Sequence, residues 1–294
     1  NLSELLPAGA GAKSADFVAS GTLASGVTVA LKADGTVEAV ASDANSFTQT
    51  IGTPSVFESG TTQSTSVAYD PSSQKLLVAY RDASNSDYGT AAVGTVSGTS
   101  ISFGTPVVFV SGQAEGITVV YSSTAEKFVI SWYQTTGGDG VRSIVGTASG
   151  TTVSFGSLNQ WSTNTISATM SVYDSANDKV VVAYRDQSNS SYGYYAVGTV
   201  SGTGISFGSA AAFNSVSTNH IAAAYDSTSD AVVLAYGDFT NDYCQVIAGT
   251  VSGTSISWGT AVAHDTVDAA RFNALAYDPD QNKTFLVYRR STTV

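Results

Sequence analysis

One cysteine, one methionine and two histidines in a chain of 294 residues leave little room for several kinds of chemistry. The single thiol, Cys244, cannot close an intramolecular disulfide, so packing must stabilise the chain. A lone cysteine reads as a small buried hydrophobe, not a nucleophile. The histidines, His220 and His264, have no Cys or His at metal-ligand spacing, which predicts no metal site. No Gly-x-Ser-x-Gly elbow, phosphate loop, dinucleotide fingerprint or EF-hand loop is present, so no cofactor is expected. Charge is scarce too, at 12% of residues, and cations are the scarcer sign: 12 Lys and Arg against 23 Asp and Glu, a net charge of −11. That balance excludes a nucleic-acid backbone or an anionic membrane as main partner, since either requires a basic patch. No window approaches 18 uninterrupted apolar residues, and no basic segment runs into an apolar one near the N-terminus. Neither a membrane span nor a retained signal peptide is expected.

What the chain has in quantity is Gly, Ser, Thr, Ala and Val, with 15 Tyr, the profile of an all-β protein with many tight turns. It is also repetitive. The stretch from Gly94 to Phe109 (GTVSGTSISFGTPVVF) returns from Gly146, Gly198 and Gly249, at steps of 52, 52 and 51 residues. Gly52, Thr53, Pro54 and Phe57 form a decayed fifth copy of its second half. A second motif fixes the phase: Tyr69, Tyr121, Tyr173, Tyr225 and Tyr277 are 52 residues apart throughout. Asp follows in four copies (Asp70, Asp174, Asp226, Asp278) and Ser122 in the other. An Asp copied in this way is a turn-former that bonds nearby amides. Each unit reads as four strands. In the first, strand A is Ser64 to Tyr69, B is Lys75 to Tyr80, C is Tyr88 to Val96 and D is Ile101 to Phe109, with a polar loop from Asp82 to Asp87 between B and C.

Four short strands in about 50 residues are the mark of a β-propeller blade. Continuous apolar runs such as Leu76 to Ala79 and Val180 to Ala183 suit sheets covered on both faces by neighbouring blades. There are five A–B hairpins, and five D strands marked by Phe57, Phe109, Trp161, Phe213 and His264. The first D strand has no A–B hairpin before it, and the last hairpin, ending at Tyr288, has no C or D strand after it. Pairing Thr36 to Ala41 and Phe47 to Phe57 with Asn273 to Arg289 gives one composite blade that closes the ring and removes a sheet edge. The predicted fold is therefore an all-β, five-bladed propeller over residues 35–294, of 260 residues or five times 52. The alternative is six blades. Residues 1–34 read as an arm (1–17) and a hairpin in which Asp34-Gly35 joins Val27 to Leu31 with Thr36 to Ala41. They form an attachment segment.

The motifs Tyr-Asp-x-Ser, Val-Ala-Tyr-Arg-Asp, Gly-Thr-Val-Ser-Gly-Thr and Ser-Ile-Ser-Phe-Gly resemble blades in tail-fibre and other virion-surface proteins of marine bacteriophages, and repeats in secreted proteins of aquatic bacteria, over residues 60–294. The stretch from Asp16 to Leu23 with Val29 to Val37 is similar to segments that precede such repeats in phage structural proteins. The blade number is also that of tachylectin-type lectins. This resemblance implies a virion-surface or extracellular setting and a non-enzymatic structural and adhesion role, with residues 1–34 meeting assembly proteins and the propeller meeting a neighbouring protein or host glycans. Two alternatives stand beside it, a multivalent carbohydrate-binding lectin and a propeller glycosidase. A glycosidase requires unique carboxylates converging on one site, whereas the acidic residues here mostly recur with the repeat.

The loops after strand B are the place to look for binding, because in a propeller the B–C and D–A loops share one face. They carry Arg81, Asp82, Asn85 and Tyr88 in one unit, Arg185, Asp186, Asn189 and Tyr192 in another, and Asp238, Asn241 and Tyr243 in a third, with Trp132 in the unit that departs from the pattern. Aromatic faces beside Asp and Asn acceptors suit the C–H surfaces and hydroxyls of sugars, and several weak clefts on a rigid ring act by avidity. The bland reading is that the Arg-Asp pairs brace adjacent blades and the tyrosines begin strand C.

Overall fold

The computed structural model describes residues 18–23, 29–39, 51–135, 139–266 and 271–289. The chain divides into two compact units, residues 1–51 and 52–294. In the first, β1 (Val29–Leu31) pairs antiparallel with β2 (Val37–Ala39) across the Asp34-Gly35 turn, as predicted, with Asp34 accepting the Thr36 amide. The predicted arm, and residues 47–50 of the strand expected from Phe47, lie outside the described residues. Residues 51–57 are not a strand.

The second unit repeats one plan four times. The first sheet holds β3 (Thr62–Asp70), β4 (Lys75–Asp82), β5 (Tyr88–Ser97), β6 (Ser100–Phe103) and β7 (Val107–Gln113). The second holds β8 (Glu115–Ser122), β9 (Lys127–Gln134), β10 (Gly140–Ser149), β11 (Thr152–Phe155) and β12 (Asn159–Gln160). In the third are β13 (Ile166–Asp174), β14 (Lys179–Asp186), β15 (Tyr192–Ser201), β16 (Gly204–Phe207) and β17 (Ala211–Asn214). The fourth has β18 (Thr218–Asp226), β19 (Ala231–Asp238), β20 (Tyr243–Ser252), β21 (Ser255–Trp258) and β22 (Val262–Asp265). A final hairpin, β23 (Arg271–Asp278) and β24 (Lys283–Arg289), stands as a two-stranded sheet. The registers agree from copy to copy: Tyr69 lies opposite Leu76, Tyr173 opposite Val180 and Tyr277 opposite Thr284. Four antiparallel sheets of one size and plan make a propeller-like repeat fold.

The tyrosine-aspartate corner shows why the copies fold alike. Asp70 Oδ1 accepts the amides of Ser72 and Ser73, Asp174 those of Ala176 and Asn177, Asp226 those of Thr228 and Ser229, and Asp278 those of Asp280 and Gln281. Ser122 takes over with its hydroxyl, which accepts the Ala125 amide.

Strand D is not the single strand predicted. It breaks into two pieces, both of which pair with strand C. A side chain on Gly104 would overlap the Thr151 carbonyl of the next sheet's C–D turn, so the close approach of two blades interrupts the strand where glycine permits it.

The cores lie between blades. Val180 and Val182 pack with Val129 and Val145 of the preceding sheet, whereas Val181 and Ala183 pack with Val232 and Leu234 of the following one. Successive strand residues point to opposite faces, so a strand covered on both sides is apolar on both of its faces, with exceptions that pair with each other, such as Ser131 and Ser143. The ring of one blade's D segment meets the ring of the next blade's strand B: Phe57 with Tyr80, Phe109 with Trp132, Trp161 with Tyr184, Phe213 with Tyr236, and His264 with Tyr288, at centroid distances of 5.0 to 5.8 Å. His264 thus packs as a ring, as its slot predicted, and Cys244 is fully buried, its thiol pushed up to about 11 by burial and then by Asp265.

The plan is incomplete at both ends. Val67 and Tyr69 on β3 are 57% and 47% exposed, while Val119, one repeat later, is 7% exposed. On β24, Phe285 and Val287 are exposed, although Val233 and Ala235 at the same positions are buried.

Candidate functional site

Strand A starts where strand B ends, with Ile166 opposite Asp186 and Thr62 opposite Asp82. The D–A and B–C loops therefore share a face, and they are tied together there. Ala83, Gln187 and Phe239 donate their amides to Thr61, Thr165 and Ser217, and those three donate back to Ser84, Ser188 and Thr240 hydroxyls.

On this face the predicted cleft residues separate into groups. Asp82, Asp186 and Asp238 are buried and form their own loops. Asp82 accepts the amides of Ser84 and Asn85, and Asp186 accepts the Ser188 amide and the Asn164 side chain. Asp238 accepts the amides of Thr240 and Asn241 and the side chains of Asn241 and Gln245. Asn85, Asn189 and Asn241 stand on the exposed loop tips, with Asn189 bonded to the Tyr194 hydroxyl. Tyr88, Tyr192 and Tyr243 are half-buried at the first residue of β5, β15 and β20. Trp132 requires correction as a cleft residue. It has no exposure at all, because it occupies the strand-B ring position that holds Tyr80, Tyr184 and Tyr236 elsewhere. Arg81 braces two blades through Asp87 at 2.8 Å and Glu115 of the next sheet. Among the described residues Arg185 has no such pair; its Nη2 donates to Ser191 and its Nε is buried without a hydrogen-bond partner there.

The face holds a cavity of about 330 Å³ in the third D–A loop, lined by Gln160, Trp161, Ser162, Thr163, Asn164 and Tyr184. It opens where β12 stops after two residues, against seven in β7. Its aromatic floor is held rigidly: Trp161 stacks on Phe207 at 4.5 Å, meets Tyr184 edge-on at 5.5 Å and donates Nε1–H to Ser143. Its rim is equally fixed. Gln160 accepts from Arg142 and donates to the Asp139 carbonyl, the Asp139 carboxylate accepts the Thr165 hydroxyl, and Asn164 is anchored on Asp186. Sequence reasoning read Trp161 only as a strand marker. The available signal was that this slot carries Trp where three other copies carry Phe. Among the described residues no group of three acidic, His or Cys side chains is placed to hold a metal ion, and no helix is long and apolar enough to cross a membrane.

No family model matches the chain, and no curated protein matches it. Among solved structures it is similar to exo-β-1,3-galactanase from Phanerochaete chrysosporium, in two variants crystallised with β-1,3-galactotriose. One covers 82% of this chain and 63% of that chain at 8% identity with a TM-score of 0.47. The other covers 78% and 60% at 8% identity with a TM-score of 0.46. A third is Sqt1 from Chaetomium thermophilum, at 11% identity over 73% of this chain and 63% of that one, with a TM-score of 0.41. The chain spans less than two thirds of each. The likeness is that of a distant, repeat-based all-β propeller-like fold, and it ties the chain to neither phage fibres nor tachylectins. The expectation of a non-enzymatic structural and adhesion module on a virion finds no counterpart among these three structures and is withdrawn.

Proposed function

We propose that this chain is a carbohydrate-active protein that holds a saccharide on its B–C and D–A loop face, with the Trp161 cavity as its principal site. One observation carries the reading: a partly exposed tryptophan, locked by Phe207 and by the buried Tyr184, forms the floor of a cavity whose rim is amides and hydroxyls. Sugar recognition needs those two elements, an apolar ring face for C–H groups and fixed polar atoms for hydroxyls. Architecture supports rigidity of the face. We infer a five-bladed ring in which β23 and β24 complete a blade with the segment around Gly52 and Phe57. That segment already meets the first sheet as D segments do, with Gly52 against the Thr99 carbonyl and Phe57 against Tyr80.

The test is titration of the full chain with a glycan panel that includes β-1,3-galactotriose, repeated with Trp161→Ala. Binding should fall by roughly tenfold or more in the variant, about 1.4 kcal/mol or above. Equal binding by the variant, or no binding by folded parent protein, would sink the proposal. The same samples are assayed for release of reducing ends. If the bound sugar is cleaved, Asp139→Asn should stop cleavage while binding persists, since Asp139 is tied to the rim residue Gln160 through its carbonyl and one of its carboxylate oxygens accepts the Thr165 hydroxyl.

A further inference from the structure

The internal repeat supplies its own comparison for Arg185. Moving 104 residues along the chain, Arg81 becomes Arg185, Asp87 becomes Ser191, and Glu115 becomes Asn219. Both carboxylates that neutralise Arg81 are thus replaced by neutral groups around Arg185, whose Nε is buried without a hydrogen-bond partner. An uncompensated, partly buried cation is costly unless something else neutralises it.

Instead of losing cations to match, the surroundings gain them. His220, Arg271 and Arg289 all stand at this end of the last two A–B hairpins. His220 lies 4.9 Å from the Phe272 ring and 5.9 Å from the Phe239 ring. Arg271 lies over Phe239 at 5.4 Å and Arg289 over Phe272 at 5.8 Å. Arg271 and Arg289 are direct cross-strand partners, a like-charge pairing that disfavours the hairpin by itself. Burial and then the charges of Arg271 and Arg185 hold the His220 imidazole below its ordinary pKa, so the imidazole lies within reach of both guanidinium groups. Among the described residues no carboxylate pairs with Arg185, Arg271 or Arg289. In a chain of net charge −11 this concentration of cations is the exception, and Phe272, 65% exposed, offers an apolar ring beside it. Left-handed backbone at His220 and Phe272, φ 50° and 54°, sits at the strand-A irregularities that aim both rings here.

We propose that Arg185, Arg271 and Arg289, with the Phe272 ring, form a second binding site for an anionic saccharide, its carboxylate or sulfate held by the guanidinium groups and its sugar ring laid on Phe272. The oxyanion supplies the charge that Asp87 and Glu115 supply to Arg81, and the fork of arginine matches either group. The inference rests on the carbohydrate reading for the nature of the ligand but on different residues, so the two can fail separately.

The experiment titrates the full chain with an oligogalacturonate, a sulfated galactan oligosaccharide, neutral β-1,3-galactotriose and a glutamate-rich peptide of matched charge. The parent should bind at least one of the two acidic saccharides, more weakly as salt rises. Arg271→Gln and Arg289→Gln should each weaken that binding roughly tenfold or more, and Trp161→Ala should leave it intact. Both arginines are exposed, and removing one relieves the like-charge pair, so the melting temperature should hold or rise. Arg185→Gln is a supporting variant, read only if it folds. Acidic saccharide bound equally by parent and by Arg271→Gln and Arg289→Gln overturns the site, as does equal affinity for the peptide, which would make it a charge sensor for protein. Failure to bind either acidic saccharide overturns it as well. Neutral saccharide insensitive to Trp161→Ala counts against the Trp161 cavity alone.

Discussion

Asp70 and Ser122 occupy one repeat position and cap the same turn with different chemistry, which sets what each is worth. Asp174, wholly buried, satisfies two amides and the Asn177 side chain, so Asp174→Ala should cost about 1–3 kcal/mol in urea unfolding. Ser122→Ala should cost less, because Ser122 satisfies one amide and donates to Asp178. Burial works against the charge of Asp70, but the hydroxyls of Ser73 and Ser72 outweigh it and hold its carboxyl at about 2, below the ordinary 3.8. A depressed folded value contributes stability that is complete above about 4 and lost as pH falls toward 2. Asp70→Asn should flatten the pH dependence of stability in that window and leave pH 7 behaviour to differ only by the changed hydrogen bonds. His220 has the opposite charge logic. Its depressed value means that the unfolded chain takes a proton first, so stability falls as pH drops below about 6.5. The charges facing it are Arg185 from β14 and Arg271 from β23, with Arg289 of β24 over the adjoining Phe272 ring. A bound oxyanion should raise the His220 value, visible as a shifted imidazole titration by NMR, where only two histidines contribute.

At the scale of elements, strand edges and breaks follow from how blades meet. Strands B and C were legible from the sequence because a doubly covered strand is apolar at most positions; Leu77 and Val181 of strand B, and Val93 and Val197 of strand C, are all buried. Strand D was read as one strand from Ile101 to Phe109; Gly104 and Pro106 are local signs of a break, but nothing in them reports the approach of Thr151 from the next sheet. Gly104→Ala should therefore destabilise the fold by about 1–3 kcal/mol, since the clash is with backbone that cannot rotate away. Gly98→Ala makes a useful contrast. No atom lies near its added methyl, so any loss there reflects the strained backbone at φ 59° alone.

For the molecule as a whole, the question is how the first and last copies meet. Tyr173 and Tyr277 each donate a hydroxyl to the A–B turn of the preceding blade, at Thr124 and Thr228. If the ring closes as proposed, the same step makes Asp280, in the turn that follows β23, the partner of Tyr69. Tyr69 is half-exposed, and Phe285 and Val287 present the matching uncovered face. Tyr69→Cys with Asp280→Cys should give an intramolecular disulfide on oxidation, read as a faster-migrating monomer on a non-reducing gel. A product that is only dimeric would reject ring closure within one chain. Cys244, buried and with its thiol pushed up to about 11, should not compete.

The sequence by itself determined the repeat, its phase, the Asp-capped corner and the doubly covered strands, because each depends on residues near in the chain or copied at a fixed step. It also placed the B–C and D–A loops on one face. It did not determine what those loops do. Asp82, Asp186 and Asp238 look like sugar acceptors in one dimension, and their burial in loop-forming bonds appears only when the chain is folded. Trp132 and Trp161 are both tryptophans in the second repeat unit, yet one faces the core and the other floors a cavity, a difference set by the neighbouring blade. The cation cluster is likewise tertiary. Arg185, His220, Arg271 and Arg289 are spread over 105 residues, and only the radial stacking of three successive blades sets their charges and rings side by side.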